Sequence, residues 1–557
     1  MGLLPETLSL PSANYKHWIL NIQHDVAMIS MRVQEDGGLL PSYKLKLNSY
    51  DLGVDIELAD MINRVRFEHP EVKCVVITSD NDRVFCAGAN IHMLGQSSHH
   101  WKVNFCKYTN ETRLAIEEAS AKSGIRFLAA LNGTTAGGGY ELALACDHLL
   151  LMDDASTAVS LPEVPLLGVL PGTGGLTRLV DKRRVRRDFA DAFCTMAEGV
   201  RGERAKQWGL VDDIAPKGRW KESVEAAAKQ LAAGSTRKPA RAVALPQVQP
   251  SIRLSPPTAA GPTTVLTYTH VTLEVDGAHR TATLTITAPR EAEPTSVSGI
   301  EERGAAHWCL AAYRELDDAL LRLRFHYNDV AAVVLKTCGS ASLVKAAETS
   351  LIEAAKTNGF AHEVLLHMGR VLCRLDLMAK TLVTLVLPDS CFAGSLAELL
   401  LASDRTLMLD NGSVAQMELT EMNSGVLPMW NGLTRLEARF AGDQDKAAAA
   451  YNAALVGAST PAQAIEHGLV TAAFDDIDFE EEVRILLEER ASLSPDALTG
   501  MEANLRFPGP ETLATKIFAR LSAWQNWVFT RPNATGEKGA LTAYGKPQRP
   551  QFDFVRC

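Results

Sequence analysis

Two segments of this 557-residue chain repeat one another, and the repeat restricts the chain to folds built from two similar halves. Residues 132–178 align with residues 389–435 at a constant offset of 257, with 19 identities in 47 positions and no gap. A chain of this length ordinarily forms more than one domain. The repeat therefore predicts two domains of about 250–300 residues with related folds.

Composition narrows the class of protein. Hydrophobic residues make up 46% of the chain, charged residues make up 22%, and the net charge is −10, which is typical of a globular protein without a nucleic-acid partner. No apolar run reaches the roughly 18–20 residues of a membrane span, and the N-terminus lacks the pattern of a signal peptide. The ten cysteines form no Cys-x-x-Cys pair, as expected of reduced thiols. We therefore expect a cytoplasmic protein with no membrane or nucleic-acid partner.

Apolar runs and helical patterns alternate along the chain, which predicts α/β layering. The predicted elements of the first half are strands Val26–Met31, Val72–Ser79, Arg126–Leu131 and His148–Met152, and helices Leu52–Glu68 and Gly138–Cys146. The second half shows the same order, with strands Val271–Val275, Ala282–Ile286 and Val330–Thr337 and helix Ala312–Phe325.

A proline-rich stretch without helical periodicity separates the halves and predicts an extended linker. The predicted domains are residues 1–240, a linker at 241–262, a second domain at 263–480, and a C-terminal helical extension and tail at 481–557.

Three features of the first half form a candidate active site: Phe85–Ile91 after a strand, Gly137–Glu141 at a helix start, and Leu161–Val164. Glycines at a helix N-terminus let backbone N–H groups approach an oxygen, and two such groups form an oxyanion hole. Two carboxylates that face one site can transfer protons. Taken singly, glycines also serve close packing, and a first-turn glutamate also complements the helix dipole. The order and spacing of all three together favour a catalytic site.

These segments resemble the enoyl-CoA hydratase/isomerase (crotonase) superfamily. The resemblance covers most of residues 20–215 and rests on Lys46–Ser49, Cys86–Ile91, Leu131–Asp147, Leu161–Val164, Gly168–Arg178 and Ala205–Val211. It implies an α/β fold of two tandem crotonase-like domains, each a spiral of β/α units, which binds an acyl-CoA thioester without a metal or another cofactor. It also implies an oxyanion hole from the N–H groups of Ala89 and Gly138, with Glu141 and Glu163 as the acid/base pair.

The resemblance identifies further candidates around this site. Cys106 lies where the superfamily often builds its acyl pocket, so it is either a catalytic group or a buried inert thiol. Asn90 departs from the aspartate that the family commonly has, and we expect this difference to change local hydrogen bonding more than catalysis. The remaining candidates for contacts with the substrate or with CoA are Lys44, Lys46, Ala87, Asn90 and Ile91.

The second half keeps the spacing of the repeat but lacks several of the candidate catalytic residues. Ser395 replaces Gly138, Thr420 replaces Glu163, and no Cys-Ala-Gly-Ala segment follows the predicted strand. Glu398 is retained at the position that aligns with Glu141. The neighbouring Glu421 could replace Glu163 only if the alignment shifted between flanking segments that match without a gap. We therefore expect a degenerate, catalytically inactive domain that packs as a fixed, trimer-like neighbour, within a homodimer.

Over its whole length the chain resembles tandem members of the superfamily that open the ring of an oxygenated, dearomatised benzoyl-CoA by C–C cleavage. That resemblance implies water, a 2,3-epoxy- or 2,3-dihydrodiol-benzoyl-CoA, and the products 3,4-dehydroadipyl-CoA semialdehyde and formate. Two alternatives stay open at this point: an enoyl-CoA hydratase or isomerase acting on fatty acyl-CoA, and a non-catalytic CoA-binding scaffold.

Overall fold

The computed structural model describes residues 12–255, 263–412, 415–455 and 459–557, which form two compact units. The first unit contains the described residues up to Gln247 together with Thr357–Glu363. The second contains the described residues of Val248–Lys356 and of Val364–Cys557.

The first unit is built on a six-stranded sheet of order β1-β2-β3-β5-β7-β9, which is parallel except for the antiparallel pair β1–β2, and a parallel three-stranded sheet β4-β6-β8. The strands are β1 (Trp18–Gln23), β2 (Val26–Met31), β3 (Cys74–Ser79), β4 (Val84–Cys86), β5 (Arg126–Leu131), β6 (Thr134–Ala136), β7 (His148–Asp153), β8 (Val159–Ser160) and β9 (Asp213–Pro216). The central strands are buried on both faces, as expected of a parallel sheet with helices around it.

The helices of the first unit are α1 (Leu52–Glu68), α2 (Ile91–Gln96), α3 (His99–Glu118), α4 (Gly138–Ala145), α5 (Glu163–Leu167), α6 (Gly175–Thr177), α7 (Arg187–Cys194), α8 (Gly202–Gln207) and α9 (Trp220–Ala233). Asp51 caps the N-terminus of α1, where its carboxylate accepts from the Gly53 and Val54 N–H groups and so satisfies two unbonded donors of the first turn. Helix α9 places Val224, Ala228 and Ala232 on one face, at a spacing of four residues, and packs them against the large sheet.

The second unit contains an eight-stranded sheet of order β10-β11-β12-β13-β14-β15-β17-β19 and a parallel pair β16–β18. Its first four strands are antiparallel, and the sheet continues in parallel from β13. The strands are β10 (Ser251–Leu254), β11 (Thr263–Thr267), β12 (Val271–Asp276), β13 (Thr281–Thr287), β14 (Ala332–Cys338), β15 (Thr381–Val386), β16 (Cys391–Ala393), β17 (Arg405–Leu409), β18 (Gln416–Glu418) and β19 (Ala472–Phe474).

Helices α10 to α19 follow as α10 (Val297–Arg303), α11 (Trp308–Phe325), α12 (Ala341–Ala355), α13 (Gly359–Asp376), α14 (Ser395–Ala402), α15 (Arg435–Arg439), α16 (Gln444–Ala454), α17 (Pro461–Glu466), α18 (Phe479–Ser492) and α19 (Pro495–Arg506). The C-terminal extension adds α20 (Leu513–Arg520), α21 (Asn526–Thr530), α22 (Pro532–Thr535) and α23 (Ala540–Ala543). Among the helices of the described ranges, none has the length and apolar composition needed to cross a membrane.

Most elements expected from the sequence form within a residue or two of the expected bounds, and β2, α1 and β5 match them. The expected linker contains additional structure, because Ser251–Leu254 pair as an antiparallel edge strand with β11. Residues 256–262 of that linker lie outside the described residues. The expected strand at Val330–Thr337 is shifted and becomes Ala332–Cys338.

Candidate active site

Two tight turns of the first unit bring the Ala89 and Gly138 backbones together. Gly88 has φ +86°, and a Cβ added there would lie 2.9 Å from the Gly138 nitrogen and 2.9 Å from the Ala136 carbonyl oxygen. Gly137 has φ +53° and ψ −129°, which lets the chain leave β6 and enter α4 at once. Glycine is needed at Gly88 because another backbone segment passes directly over it, and at Gly137 because of its positive φ.

The N–H groups of Ala89 and Gly138 are both available to a ligand. Ala89 forms a parallel bridge with Tyr50, in which the bonds run from the Tyr50 N–H to the Gly88 carbonyl (3.0 Å) and from the Asn90 N–H to the Tyr50 carbonyl (2.8 Å). The Ala89 N–H therefore faces away from this bridge. Gly138 is the first residue of α4, where the N–H has no intrahelical acceptor. Within the described ranges, no protein group accepts from either N–H.

Glu141 lies one turn into α4, and its carboxylate is oriented by three donors. It accepts from the Thr173 N–H at 2.9 Å, from the Gly175 N–H at 2.8 Å and from the Thr173 hydroxyl. The side chain is only 2% exposed. These three hydrogen bonds hold the carboxylate in one orientation.

Glu163 is the first residue of α5 and has a different environment. Its carboxyl lies against Gly137, because a Cβ on that glycine would stand 2.8 Å from Glu163 Oε1. Within the described chain no group donates to the buried Oε2 atom. Burial, with a smaller contribution from the Glu141 charge, raises the pKa of Glu163 to about 7. One carboxylate is thus fixed by donors, and the other can exchange a proton near neutral pH.

Cys106 lies on α3 against the loop that orients Glu141. Its Sγ atom faces Gly172, where an added Cβ would be 3.0 Å away. Burial, reinforced by the Glu141 charge, raises the pKa of the thiol to about 11, so the group is a neutral thiol at physiological pH.

The Asn90 side chain makes three hydrogen bonds with neighbouring residues of the first unit. Its side chain caps α2 by accepting from the Met93 N–H (2.9 Å), and it donates to the Lys44 carbonyl (2.8 Å) and to the Ser49 hydroxyl (3.1 Å). Asn90 thereby ties the segment before α1 to the turn that carries Ala89.

The other sequence candidates lie at the edge of this region. Lys44 is exposed and pairs with Asp36 at 3.0 Å, and Lys46 is exposed. Ala87 donates its N–H to the Leu47 carbonyl at 3.1 Å, and Ile91 is 56% exposed. The structure thus brings together Ala89, Gly138, Glu141, Glu163 and Cys106, and leaves the two lysines in solvent.

Sequence reasoning missed three buried residues beside this cluster. Tyr50 contacts Gly138, Arg113 donates to the Tyr50 hydroxyl at 3.2 Å, and Asp55 pairs with Arg113. Tyr50 comes directly after Lys46–Ser49, a segment that resembles the family, so its position in the sequence could have indicated a place in the site. Asp55 and Arg113 lie on separate helices, and only the fold makes them neighbours.

In the second unit, the two groups that align with Glu141 and with the Gly138 N–H are bonded to other residues. Glu398 accepts from the Asn423 side chain at 2.6 Å and from Arg435 at 3.0 Å, and Arg435 also pairs with Asp376 at 2.7 Å. Glu398 is therefore a buried ion-pair partner of Arg435.

The Ser395 N–H, which aligns with the Gly138 N–H, is bonded to a carboxylate from α12. Both oxygens of Glu348 lie 3.1 Å from the Ser395 nitrogen, and the Ser395 hydroxyl also donates to Glu348. A Cβ on Gly394 would overlap the same carboxylate. Thr420 only caps a short helical turn by accepting from the Met422 N–H, and the neighbouring Glu421 is exposed.

Comparison with known proteins identifies the family of the chain. The model of the enoyl-CoA hydratase/isomerase family matches residues 44–246. A benzoyl-CoA-dihydrodiol lyase from Aromatoleum evansii is 52% identical over 545 residues, which cover 98% of this chain and 96% of that protein.

Solved structures match part of the chain. An enoyl-CoA hydratase from Geobacillus kaustophilus HTA426 is 32% identical, with 39% of this chain and 75% of that chain covered and a TM-score of 0.35. An enoyl-CoA hydratase from Bacillus anthracis is 25% identical, with 39% and 77% covered and a TM-score of 0.33. On the family model and the full-length relative, the chain belongs to the enoyl-CoA hydratase/isomerase (crotonase) family, in the group of the benzoyl-CoA-dihydrodiol lyase.

Proposed function

We propose that the first unit opens the oxygenated ring of a benzoyl-CoA derivative by C–C cleavage and releases formate. The identity of 52% along 98% of the chain to a benzoyl-CoA-dihydrodiol lyase carries this proposal. The geometry of the site supports it, because two free N–H groups, a carboxylate held by three donors and a second carboxyl with a pKa near 7 lie close together. The same arrangement disfavours a purely binding role, which would need no proton carrier with a pKa near 7.

The thioester oxygen binds between the Ala89 and Gly138 N–H groups. These donors stabilise the negative charge that develops on the oxygen when electron density moves from the ring into the thioester, which yields an enolate. An oriented pair of donors of this kind lowers the activation barrier by several kcal/mol, on the order of 3 kcal/mol per donor. The thioester itself serves as the electron sink, so we propose that the reaction uses no metal or organic cofactor.

Glu163 accepts a proton from water and returns it to carbon or oxygen later in the cycle. Its carboxyl is suited to this role because Oε2 is unbonded and its pKa is near 7. Glu141, held by the loop that begins at Gly172, positions the water or the oxygenated ring carbon and carries the second proton. An epoxide consumes two waters, and a dihydrodiol consumes one, to give the same 3,4-dehydroadipyl-CoA semialdehyde and formate.

Cys106 stands beside Glu141 as a neutral thiol. We propose that it positions the ring or donates a proton and does not act as a nucleophile. Replacement of Cys106 by Ala should lower kcat and leave the binding of benzoyl-CoA unchanged. Unchanged kcat in that variant removes Cys106 from the mechanism.

The second unit, we propose, is a degenerate copy that catalyses nothing. Support comes from the order of its elements, in which β16 and α14 follow β15 as β6 and α4 follow β5, and from its occupied groups. Glu348 takes the N–H that a thioester oxygen would need, and Arg435 neutralises Glu398. We propose that its role is structural, within each chain of a cytoplasmic homodimer. If the Glu398→Gln variant kept its fold and its oligomeric mass but lost turnover, the second unit would not be catalytically inactive.

Formate release distinguishes the candidate reactions. The protein is incubated with oxygenated benzoyl-CoA and, separately, with crotonyl-CoA, and formate and hydration are measured. Formate from the first substrate, absent in Glu163→Gln and Glu141→Gln variants, is the expected result. Rapid hydration of crotonyl-CoA without formate from the aromatic substrate would instead establish an enoyl-CoA hydratase.

The hydratase is a second candidate because the family model that matches residues 44–246 is that of enoyl-CoA hydratase/isomerase. The two free N–H groups and the carboxylate pair suit the addition of water to an enoyl thioester equally well. A CoA-binding scaffold is the third possibility, and the absence of turnover with both substrates would favour it.

A further inference from the structure

Tyr50 contacts both parts of the oxyanion site of the first unit. Its backbone forms the bridge that positions the Ala89 turn, through the Gly88 carbonyl and the Asn90 N–H. Its phenol ring reaches the start of α4, where a Cβ on Gly138 would overlap the hydroxyl and lie 3.0 Å from Cζ. The phenol therefore lies directly against the Cα of the residue that supplies the second N–H.

The phenol oxygen is held from the opposite side by a buried cation. Arg113 donates from Nη2 to the Tyr50 oxygen at 3.2 Å, and the same guanidinium pairs with Asp55. Asp55 is itself held by the Thr112 hydroxyl at 2.7 Å. Arg113 and Asp55 are each about 1–2% exposed, so this support is rigid and dry.

This arrangement leaves the phenol proton available. The oxygen already accepts from Arg113, and within the described ranges no protein acceptor takes the Tyr50 hydrogen. A donor that itself accepts from a cation is polarised and binds an oxygen more strongly. Burial raises the pKa of Tyr50 well above its ordinary value, so the group is a neutral phenol at physiological pH.

We propose that the Tyr50 hydroxyl is a third donor of the oxyanion site and bonds the thioester oxygen beside the Ala89 and Gly138 N–H groups, with Arg113 as its positioning residue. This inference rests on the proposed binding of an acyl-CoA in the first unit, and not on the fate of the ring. The ligand is a thioester carbonyl that becomes an enolate. The third donor increases the stabilisation of the enolate more than that of the neutral carbonyl, because the charged oxygen is the stronger acceptor.

The test uses the full-length protein and benzoyl-CoA labelled with ¹³C at the thioester carbonyl. Each donor that bonds the carbonyl lowers its stretching frequency, which difference infrared spectroscopy measures in the bound state. The wild-type protein should show a clear shift to lower wavenumber, and Tyr50→Phe should lose part of it. Turnover of the oxygenated substrate in Tyr50→Phe should fall about 10–100-fold, with the affinity for benzoyl-CoA unchanged within about twofold.

Tyr140→Phe is the matched control, because Tyr140 is equally buried in the same unit but donates to the Leu210 carbonyl at 2.6 Å. It should leave the carbonyl band of bound benzoyl-CoA in place. If Tyr50→Phe fails to fold, 3-fluorotyrosine at position 50 keeps the shape and strengthens the donor, so the band should move further to lower wavenumber.

The outcomes separate this inference from the proposed reaction. An unchanged band and unchanged kcat in Tyr50→Phe, or an unmoved band with 3-fluorotyrosine, would overturn the third donor while leaving the ring-opening reaction standing. Bound benzoyl-CoA with a Tyr50-dependent band but no formate from the oxygenated substrate would support the donor and refute the reaction. Absence of benzoyl-CoA binding would overturn both.

Discussion

The buried Glu348 carboxyl, which accepts from the Ser395 N–H, gives a quantitative prediction for the stability of the second unit. The carboxyl is 1% exposed, and its available partners are the Ser395 N–H and hydroxyl. Burial, opposed by the Ser395 bonds and increased by the Glu398 charge, raises the pKa of Glu348 from 4.5 to about 8. The perturbation is Glu348→Gln, which keeps the shape and an accepting oxygen but cannot ionise.

Proton linkage gives the direction and the magnitude of the change in the free energy of unfolding with pH. Between pH 4.5 and about 8 the unfolded chain has lost a proton that the folded unit retains, so the free energy of unfolding falls as pH rises through this window. At pH 7 the loss is on the order of 3 kcal/mol, since one pKa unit corresponds to about 1.4 kcal/mol. Glu348→Gln removes this loss, and the transition of the second unit should rise by roughly 5–10 °C at pH 7 and by little at pH 4.5.

Calorimetry at several pH values provides the assay, with transition temperatures compared directly because a two-unit protein does not unfold in one step. Glu353→Gln is the matched control, since Glu353 lies on the same helix, is exposed and pairs only at the surface with Lys356. It should leave the pH dependence unchanged. The same pH dependence in Glu348→Gln and in wild-type protein would refute the reasoning, because it would mean that the buried carboxyl is not protonated in the folded state.

Three further predictions concern the first unit. The value of kcat/KM should rise as pH increases through about 7, because only ionised Glu163 accepts a proton, and Glu163→Gln should lose both this inflection and about 10²–10⁴-fold of kcat. If kcat/KM of the wild-type protein did not change between pH 6 and pH 8, about one unit on either side of the pKa of Glu163, Glu163 would not be the base. Gly138→Ala should abolish turnover, since the new methyl group would overlap the Tyr50 hydroxyl, and Tyr50→Phe should not restore it because Cζ remains 3.0 Å away. Thr173→Val, which removes one of the three donors to Glu141, should lower kcat about tenfold with little change in KM; a raised KM with unchanged kcat would instead point to a binding role.

Much of the fold could be predicted because it is encoded locally. Helix α1 begins and ends at the expected residues since Asp51 caps it and a regular apolar pattern follows. Strand β5 matches because a short apolar run in an α/β context has few alternatives. The edge strand at Ser251–Leu254 was missed because its pairing with β11 depends on a partner across the linker, which no local pattern reports.

The sequence by itself determined that the chain has two related halves, that the glycine-rich turns before α4 and around Gly88 are suited to an oxyanion site, and which half keeps both glutamates. These properties follow from residue type and spacing, which the repeat displays directly. Only the tertiary structure decided which groups are free and which are occupied. Glu348 and Ser395 are 47 residues apart and meet through packing, and Tyr50 reaches Gly138 from a different segment. The raised pKa of Glu163 depends on burial, and the orientation of Glu141 depends on donors from a distant loop, and both are properties of the folded chain.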